Sequence, residues 1–382
     1  MSWTPTRRHF MQMTGAASAA LAAGALLPGR AHAARDKELN IFCWEGYNSD
    51  VVLDPFRKEF GATVKAETQT SDPEAVNRLR AGESKVWDLI NLNNPWARKS
   101  LWPDGLIKEL DRARFEPYFD KMLPAFKPPY RWAMSDDGKH LLGMCQRFGP
   151  FSFVVNTDKI SREMAEDQGF DLFNDDKHAG KFGILTFDDW NVYHMCIGAG
   201  VHPFRPHTEP EFQAYEKVAR KWVKNAKFLG GDPVQMNLAL INGEIDFYCT
   251  GGTYTASPAR FDGKTNIRGI TPKKGPMDGK GGIVWIEVTS VINNPDGSPL
   301  AYDFLEYVQR PDVAKVVAFA EGTYNTVAQM GNPKVLNQFS KEELDAVQWD
   351  TLEEEIANSY EYDINPDYPR MIEILNAAKR ER

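Results

Sequence analysis

Short apolar runs that end in aromatic, acidic or glycine residues alternate along this chain with amphipathic stretches, and that alternation predicts a wound α/β fold. Leu39 to Trp44 reads as a buried strand breaking into Glu45-Gly46-Tyr47. Val52, Leu53, Phe56 and Phe60 then recur at helical spacing, with Ser49 as a cap and Gly61 as the stop. Ala62 to Ala66 alternates like a strand, Pro73 to Ala81 reads as a helix opened by proline, and Trp87 to Leu92 is strand-like again. This βαβαβ start predicts a mainly parallel sheet, whose strand ends at Trp44-Glu45-Gly46-Tyr47 and Asn93-Asn94-Pro95-Trp96 are where ligands gather in such sheets. Gln146 to Asn156 is an extended crossing into a second α/β unit, with a strand at Phe182–Leu185 and helices near Asp189–Gly198 and Phe212–Asn225. The spacing predicts a further helix at Gln235–Ile241, strands at Glu244–Cys249 and Gly282–Val288, and a helical pair, Tyr302–Val308 and Val313–Ala320, broken at Pro311. No Ser/Pro-rich linker separates two beads, so the pattern predicts two lobes joined by several crossings.

The first residues do not belong to this pattern. Thr6-Arg7-Arg8-His9-Phe10, an Ala/Gly-rich apolar run to Leu27 and the small-residue stop Ala31-His32-Ala33 have the order of a twin-arginine export leader, residues 1–33, cleaved after Ala33. Its loss removes Arg7, Arg8 and Arg30 and no acid, taking the formal charge from −8 to −11. An acidic protein outside the cytoplasm argues against nucleic acid or anionic lipid as partner and suits a cationic ligand. Cys43, Cys145, Cys196 and Cys249 are far apart in apolar contexts, which reads as buried hydrophobes, with one disulfide left open by an oxidising compartment.

Enzyme signatures are missing. There is no Gly-x-Ser-x-Gly elbow, no His-Glu-x-x-His and no dinucleotide glycine fingerprint, and Gly279-Lys280 is followed by Gly281 where a phosphate loop needs Ser or Thr. His194, His202 and His207 lack metal-ligand spacing. No cofactor is expected. What stands out is aromatic residues beside acids at strand ends: Trp44-Glu45 with Tyr47, Asp188-Asp189-Trp190, Trp285-Ile286-Glu287 and Tyr360-Glu361-Tyr362-Asp363. A desolvated ammonium group needs carboxylates for its charge and aromatic faces for its methylene chain, so these pairs point to an alkylamine pocket.

On these residues the chain resembles the periplasmic solute-binding proteins of bacterial ABC importers, and among them the spermidine/putrescine-binding type. The likeness is clearest in Leu39–Tyr47, in Trp87–Trp96, and in Trp285-Ile286-Glu287 continuing through Arg310-Pro311-Asp312-Val313-Ala314 to Gly322-Thr323-Tyr324. It implies a two-lobed, type II-like α/β fold closing on a ligand, residues 36–146 plus 286–325 forming one lobe and 147–285 plus 326–382 the other. It also implies a monomer in the periplasm that serves an inner-membrane permease. By position, Trp44, Glu45 and Tyr47 would line the cleft, Trp285 would stack on the alkyl chain, Glu287 would take an inner amine and Asp189 a terminal one. Asn93, Asn94 and Trp96 replace a more hydroxyl-rich segment, Tyr324 is retained with one residue inserted, and Glu361 stands where an end-group contact is expected. Val192 replaces the acid that would accompany Asp189, a departure from the spermidine pattern. Arg147 facing the cleft would repel a polyamine and welcome a carboxylate, so a zwitterion such as γ-aminobutyrate or an opine-like derivative is the alternative ligand. A third reading is a secreted hydrolase working with Glu287 and Asp189 as acid and base.

Overall fold

The computed structural model describes residues 35–382; the predicted leader lies outside them. The chain opens with β1 (Glu38–Cys43), α1 (Asp50–Phe60), β2 (Thr63–Thr68), α2 (Asp72–Arg80) and β3 (Leu89–Asn93), and β1 pairs in parallel with both β2 and β3. Local chemistry sets these boundaries. Gly61 ends α1 in the left-handed region, at φ 58°, which costs a glycine nothing. The Ser71 side chain caps α2 on the Glu74 N–H, with proline in the first turn.

A long strand, β4 (Met144–Asn156), then crosses to the second half. There lie β5 (Phe182–Leu185), α3 (Asp188–Gly198), α4 (Glu209–Asn225), β6 (Phe228–Gly230), β7 (Phe247–Gly252), α5 (Thr253–Phe261) and β8 (Ile267–Ile270). The strand β9 (Gly282–Val291) crosses back, and the chain finishes through α6 (Leu300–Tyr307), α7 (Pro311–Phe319), β10 (Thr326–Val327), β11 (Ser359–Glu361) and α8 (Tyr368–Arg380). The strand order is β2-β1-β3-β9-β4-β7-β5-β6, with β8 and β10 added on β4 and β11 on β9. The two outer halves are parallel as predicted. The centre is not: β4 and β9 are antiparallel to each other and to their inner neighbours, because each runs from one lobe into the other in opposite senses. The strand predicted from Glu244 starts only at Phe247, since the Glu244 and Ile245 amides turn back to the Ala239 carbonyl.

Two main apolar cores lie on either side of this crossing. One gathers Ile41, Phe56, Phe115, Phe119, Phe148, Phe304 and Tyr307, and the other Phe153, Phe170, Phe173, Phe182, Trp222 and Phe247. All four cysteines are buried and free, and His194 is buried between the Thr250 hydroxyl at 2.9 Å and the Phe151 carbonyl at 3.2 Å. Burial pushes its imidazole down to about 3, so it is neutral at any physiological pH.

After β10 the chain turns against the segment at Met122, where a Cβ on Gly331 would stand 2.1 Å from the Met122 carbonyl carbon and 2.2 Å from its oxygen. Backbone cannot yield as a side-chain tip does. Gly331→Ala is therefore expected to destabilise by about 3 kcal/mol or prevent folding, read as a lowered urea midpoint.

Candidate functional site

Where the two strand systems face each other the structure holds a cleft of about 500 Å³. Its walls come from the carboxyl ends of the parallel strands, where backbone groups and side chains leave the sheet together. The loop after β1 supplies Trp44 and Glu45, the turn from β2 into α2 supplies Gln69 to Asp72, and β3 ends in Asn93. From the second half, the end of β5 and start of α3 supply Thr186 to Trp190, and the start of α5 supplies Tyr254. Phe151, Trp285, Arg147 and Glu287 form the floor on the crossing strands, with Asn325 and Tyr362 beside them.

The floor carries a closed ion pair. The register of β4 on β9 shifts between Cys145 and Phe148, and such a bulge re-aims the side chain it contains. Arg147 sits in it and grips Glu287 with two nitrogens, Nε to Oε2 at 2.9 Å and Nη2 to Oε1 at 3.0 Å. The Tyr47 hydroxyl donates to Glu287 Oε2 at 2.8 Å, and the guanidinium lies 4.6 Å from the Tyr47 ring centre. Arg147 is 2% exposed and Glu287 5%. Burial pushes the Glu287 carboxyl up, with Arg147 and Tyr47 opposing it; the fork geometry keeps both partners charged. The third nitrogen, Nη1, lies beside Gly46, where an added Cβ would come within 2.9 Å.

The remaining acids divide differently. Asp188 is taken by Lys379. Asp189 accepts from the Tyr368 hydroxyl and Glu45 from the Tyr254 hydroxyl at 2.7 Å. Asp72 is 4% exposed and accepts from the Asn93 side chain at 2.8 Å and the Asn93 amide at 3.2 Å. Burial pushes the Asp72 carboxyl up to about 7, with Asn93 pulling the other way. Burial also raises Asp189, opposed by Tyr368. Among the described residues lining the cleft, Arg147 is the one Lys or Arg, and Glu287 already neutralises it.

Sequence reasoning brought Trp44, Glu45, Asn93, Arg147, Asp189, Trp285 and Glu287 to this cleft, and they are all on its lining. Others that it named are not on this lining. Tyr47 lies beneath the floor, 1% exposed. Asn94 and Glu361 bond to each other at 3.1 Å, Glu361 is also held by Arg98 at 2.9 Å, and Trp96 donates to the Tyr362 hydroxyl at 3.1 Å. These groups tie the β3 end to the β11 end and are not on the cleft lining. Tyr324 packs on Phe319 and Phe261, with ring centres 4.5 Å and 4.7 Å away. Val192 is fully buried in the second core, so its side chain offers nothing to a ligand. Asp72, Gln69, Tyr254 and Asn325 were missed. For Gln69 and Asp72 a signal existed, since they follow β2 just as Trp44 follows β1. The hydrolase reading loses its second carboxylate, because Glu287 is spent on Arg147.

Residues 52–341 match the family described as bacterial extracellular solute-binding protein. The chain belongs to that family. The spermidine/putrescine-binding periplasmic protein of Salmonella typhimurium is similar to this solute-binding protein at 24% identity over 328 residues, covering 84% of this chain and 88% of the relative. Among solved structures, a putative spermidine/putrescine ABC transporter from Listeria monocytogenes superposes with a TM-score of 0.68 at 17% identity, covering 91% of this chain and 100% of that one. The PBP MotA from A. tumefaciens B6, in complex with glucopine, gives 0.62 at 15% identity, covering 90% and 99%. The two-lobed binding-protein fold expected from the sequence is thus observed, and a protein of this family binds its solute outside the cytoplasmic membrane, in agreement with the expected periplasmic location.

Proposed function

We propose that this solute-binding protein is the substrate-binding component of an ABC importer, capturing a small amine-bearing solute in the periplasm and handing it to an inner-membrane permease. One observation carries the reading. With Arg147 closed on Glu287 and Asp188 on Lys379, the lining keeps Glu45, Asp72 and Asp189 with no free cation among the described residues. Trp44, Trp190, Trp285, Tyr254 and Tyr362 wall the space between them. Three acids in a low-dielectric, aromatic cleft favour an ammonium-bearing ligand. Polyamines come first, in keeping with the names of the relatives, and putrescine ranks above spermidine because the floor carboxylate that an inner amine would need is spent. The protein works as a monomer, with lobes 36–146 plus 286–325 and 147–285 plus 326–382 hinged where β4 and β9 cross. The ligand draws them together by binding the closed form better than the open one.

A zwitterion is the second reading. Trp44 Nε1 and both polar atoms of the Asn325 amide lack a hydrogen-bond partner among the described residues, and both residues line the cleft with Arg147, donors of the kind a carboxylate needs. A melting panel on refolded, ligand-free protein separates the two. A ligand at 100 times its dissociation constant adds about 2.7 kcal/mol. A shift with putrescine and not with γ-aminobutyrate is expected; the reverse would replace the polyamine by an ω-amino acid, and silence toward both would remove the amine reading.

A further inference from the structure

The two halves of the chain meet beside Tyr362, a residue of the cleft lining, through charged groups of complementary sign. The helical turns Asn94–Trp96 and Ala97–Leu101 follow β3, and Ala97 and Leu101 pack with Phe42 and Leu92 in the first half. Glu361 ends β11, which pairs with β9 at Gly282–Val284, and Tyr362 packs with Ile283 and Trp285 in the second core. Across this seam Arg98 Nη2 donates to Glu361 Oε1 at 2.9 Å, Arg131 Nη2 stands 3.3 Å from Glu361 Oε2, and Lys99 Nζ donates to Asp363 Oδ2 at 2.5 Å. Asn94 Nδ2 shares Glu361 Oε1 at 3.1 Å, and Trp96 Nε1 donates to the Tyr362 hydroxyl at 3.1 Å. Each of these donors belongs to the first half and each acceptor to the second. Asp136, on the side of the donors, lies 3.4 Å from Arg98 Nε but is largely exposed.

The geometry points to a charged latch, in which Arg98, Lys99 and Arg131 of one lobe clasp Glu361 and Asp363 of the other, and the opening of this clasp sets how fast a bound solute leaves. The inference rests on the reading of two hinged lobes above and deepens it, adding a control on release to the site that captures. These bonds span two halves that the hinge lets part, so they exist only when the lobes are together and favour the closed form whichever solute lies inside. Glu361, where the sequence led to an end-group contact with the ligand, thus serves closure in place of contact.

Low exposure gives the clasp its strength. The side chains of Arg98 and Glu361 are 13% and 16% exposed, against 36% and 22% for Lys99 and Asp363. An isolated pair in open water contributes little, because solvent and salt screen it and two long side chains must be ordered to make it. Here one carboxylate is shared by Arg98, Asn94 and Arg131, so ordering it once serves three donors, and its partial burial leaves the attraction less screened. Trp96 packs against apolar cores of both halves and closes the seam beside the charges. Where α5 meets the first half the contacts are of another kind. The Tyr254 hydroxyl donates to Glu45 at 2.7 Å and the Tyr324 amide to Ser257 Oγ at 3.0 Å. No cation takes part in either bond, so a change of charge at Lys99 leaves both in place.

Stopped-flow measurement of putrescine binding to, and dissociation from, the refolded protein tests the latch. Glu361→Gln keeps the shape and loses the charge, and Lys99→Glu sets two like charges face to face at a partly exposed position. Each is expected to speed dissociation about fivefold with a nearly unchanged association rate. The two variants change the net charge in opposite directions, so a long-range effect on a cationic ligand would speed one and slow the other. Exchanging the second pair, Lys99→Asp with Asp363→Lys, is expected to bring the rate back to within about twofold of the wild type. Dissociation that stays at the wild-type rate in both single variants, or that moves in opposite directions, would overturn the latch, while putrescine binding keeps the amine reading standing. If γ-aminobutyrate binds in place of putrescine, the same rates are read with it. A protein that binds neither loses the amine reading, and small-angle scattering then decides the latch: Lys99→Glu is expected to show a larger radius of gyration than the wild type, and equal radii would overturn it.

Discussion

Arg147→Ala is expected to destabilise the protein by about 3–5 kcal/mol, read as a lowered urea midpoint with an unchanged slope. The loss comes less from the missing attraction than from what is left behind. Glu287 is 5% exposed on the floor strand, and without Arg147 its only side-chain donor is the Tyr47 hydroxyl. A buried carboxylate with one hydrogen bond either stays charged at great cost or takes up a proton, so the variant should recover stability as pH falls. Adding Glu287→Gln should restore most of the loss, since an amide can still accept from Tyr47 without a charge to desolvate. The double variant separates this account from one in which Arg147 matters only for packing, where the second substitution would restore nothing. The ligand provides a second readout. In Arg147→Ala the freed Glu287 faces the cleft as an acid, so spermidine, with an inner amine to offer it, should gain on putrescine and rescue the melting temperature more strongly.

Much of the architecture was legible because it follows from periodicity and strong local signals. Gly61 as a stop, Ser71-Asp72-Pro73 as a helix start and the apolar runs at Leu39 and Trp87 each specify their element from a few neighbouring residues. The antiparallel centre was not legible, since strand direction at a crossing is decided by partners more than a hundred residues away, as where Phe148 meets Ile286. The site divided along the same line. Residues that end strands, such as Trp44, Asn93 and Asp189, reached the cleft because topology alone carries strand ends there. Whether a charge is free to meet a ligand depends on its partner, and no spacing in sequence reveals that Arg147 and Glu287, 140 residues apart, hold each other, or that Arg98 holds Glu361. Tyr47 shows the same limit on a smaller scale. It lies three residues from Trp44, yet Gly46 at φ 95° turns the chain so that one ring reaches the cleft and the other lies under its floor.

Trp285→Ala is expected to weaken the amine ligand by about 2–3 kcal/mol, roughly 30- to 150-fold, and also to cost stability, since the ring is 8% exposed and belongs to the second apolar core. The effect on affinity comes from where the ring lies. The indole lies against β4 at Gly149, where a Cβ would stand 3.6–3.7 Å from its ring atoms, and Trp285 also lines the cleft. The indole packs against β4 and is 8% exposed in the empty protein, so its position is fixed before the ligand arrives and little rotamer entropy remains to be lost on binding. The ring can then cover a methylene chain and add cation–π attraction to a nearby ammonium, a combination for which tryptophan is the best of the aromatic residues. Trp190, only partly buried, makes a useful comparison. It is stacked on Tyr362 with ring centres 5.0 Å apart and set edge-on to Phe151 at 4.9 Å, so its removal disturbs a packed aromatic group as well as the ligand surface. Calorimetry with putrescine, paired with urea unfolding of the empty protein, should therefore show both Trp285→Ala and Trp190→Ala losing affinity and stability, with the larger stability loss in Trp285→Ala, the more buried of the two. Trp285→Phe should keep most of the alkyl contact and part of the cation–π term; an affinity as low as that of the alanine variant would mean that the indole serves the floor of the cleft and not the ligand.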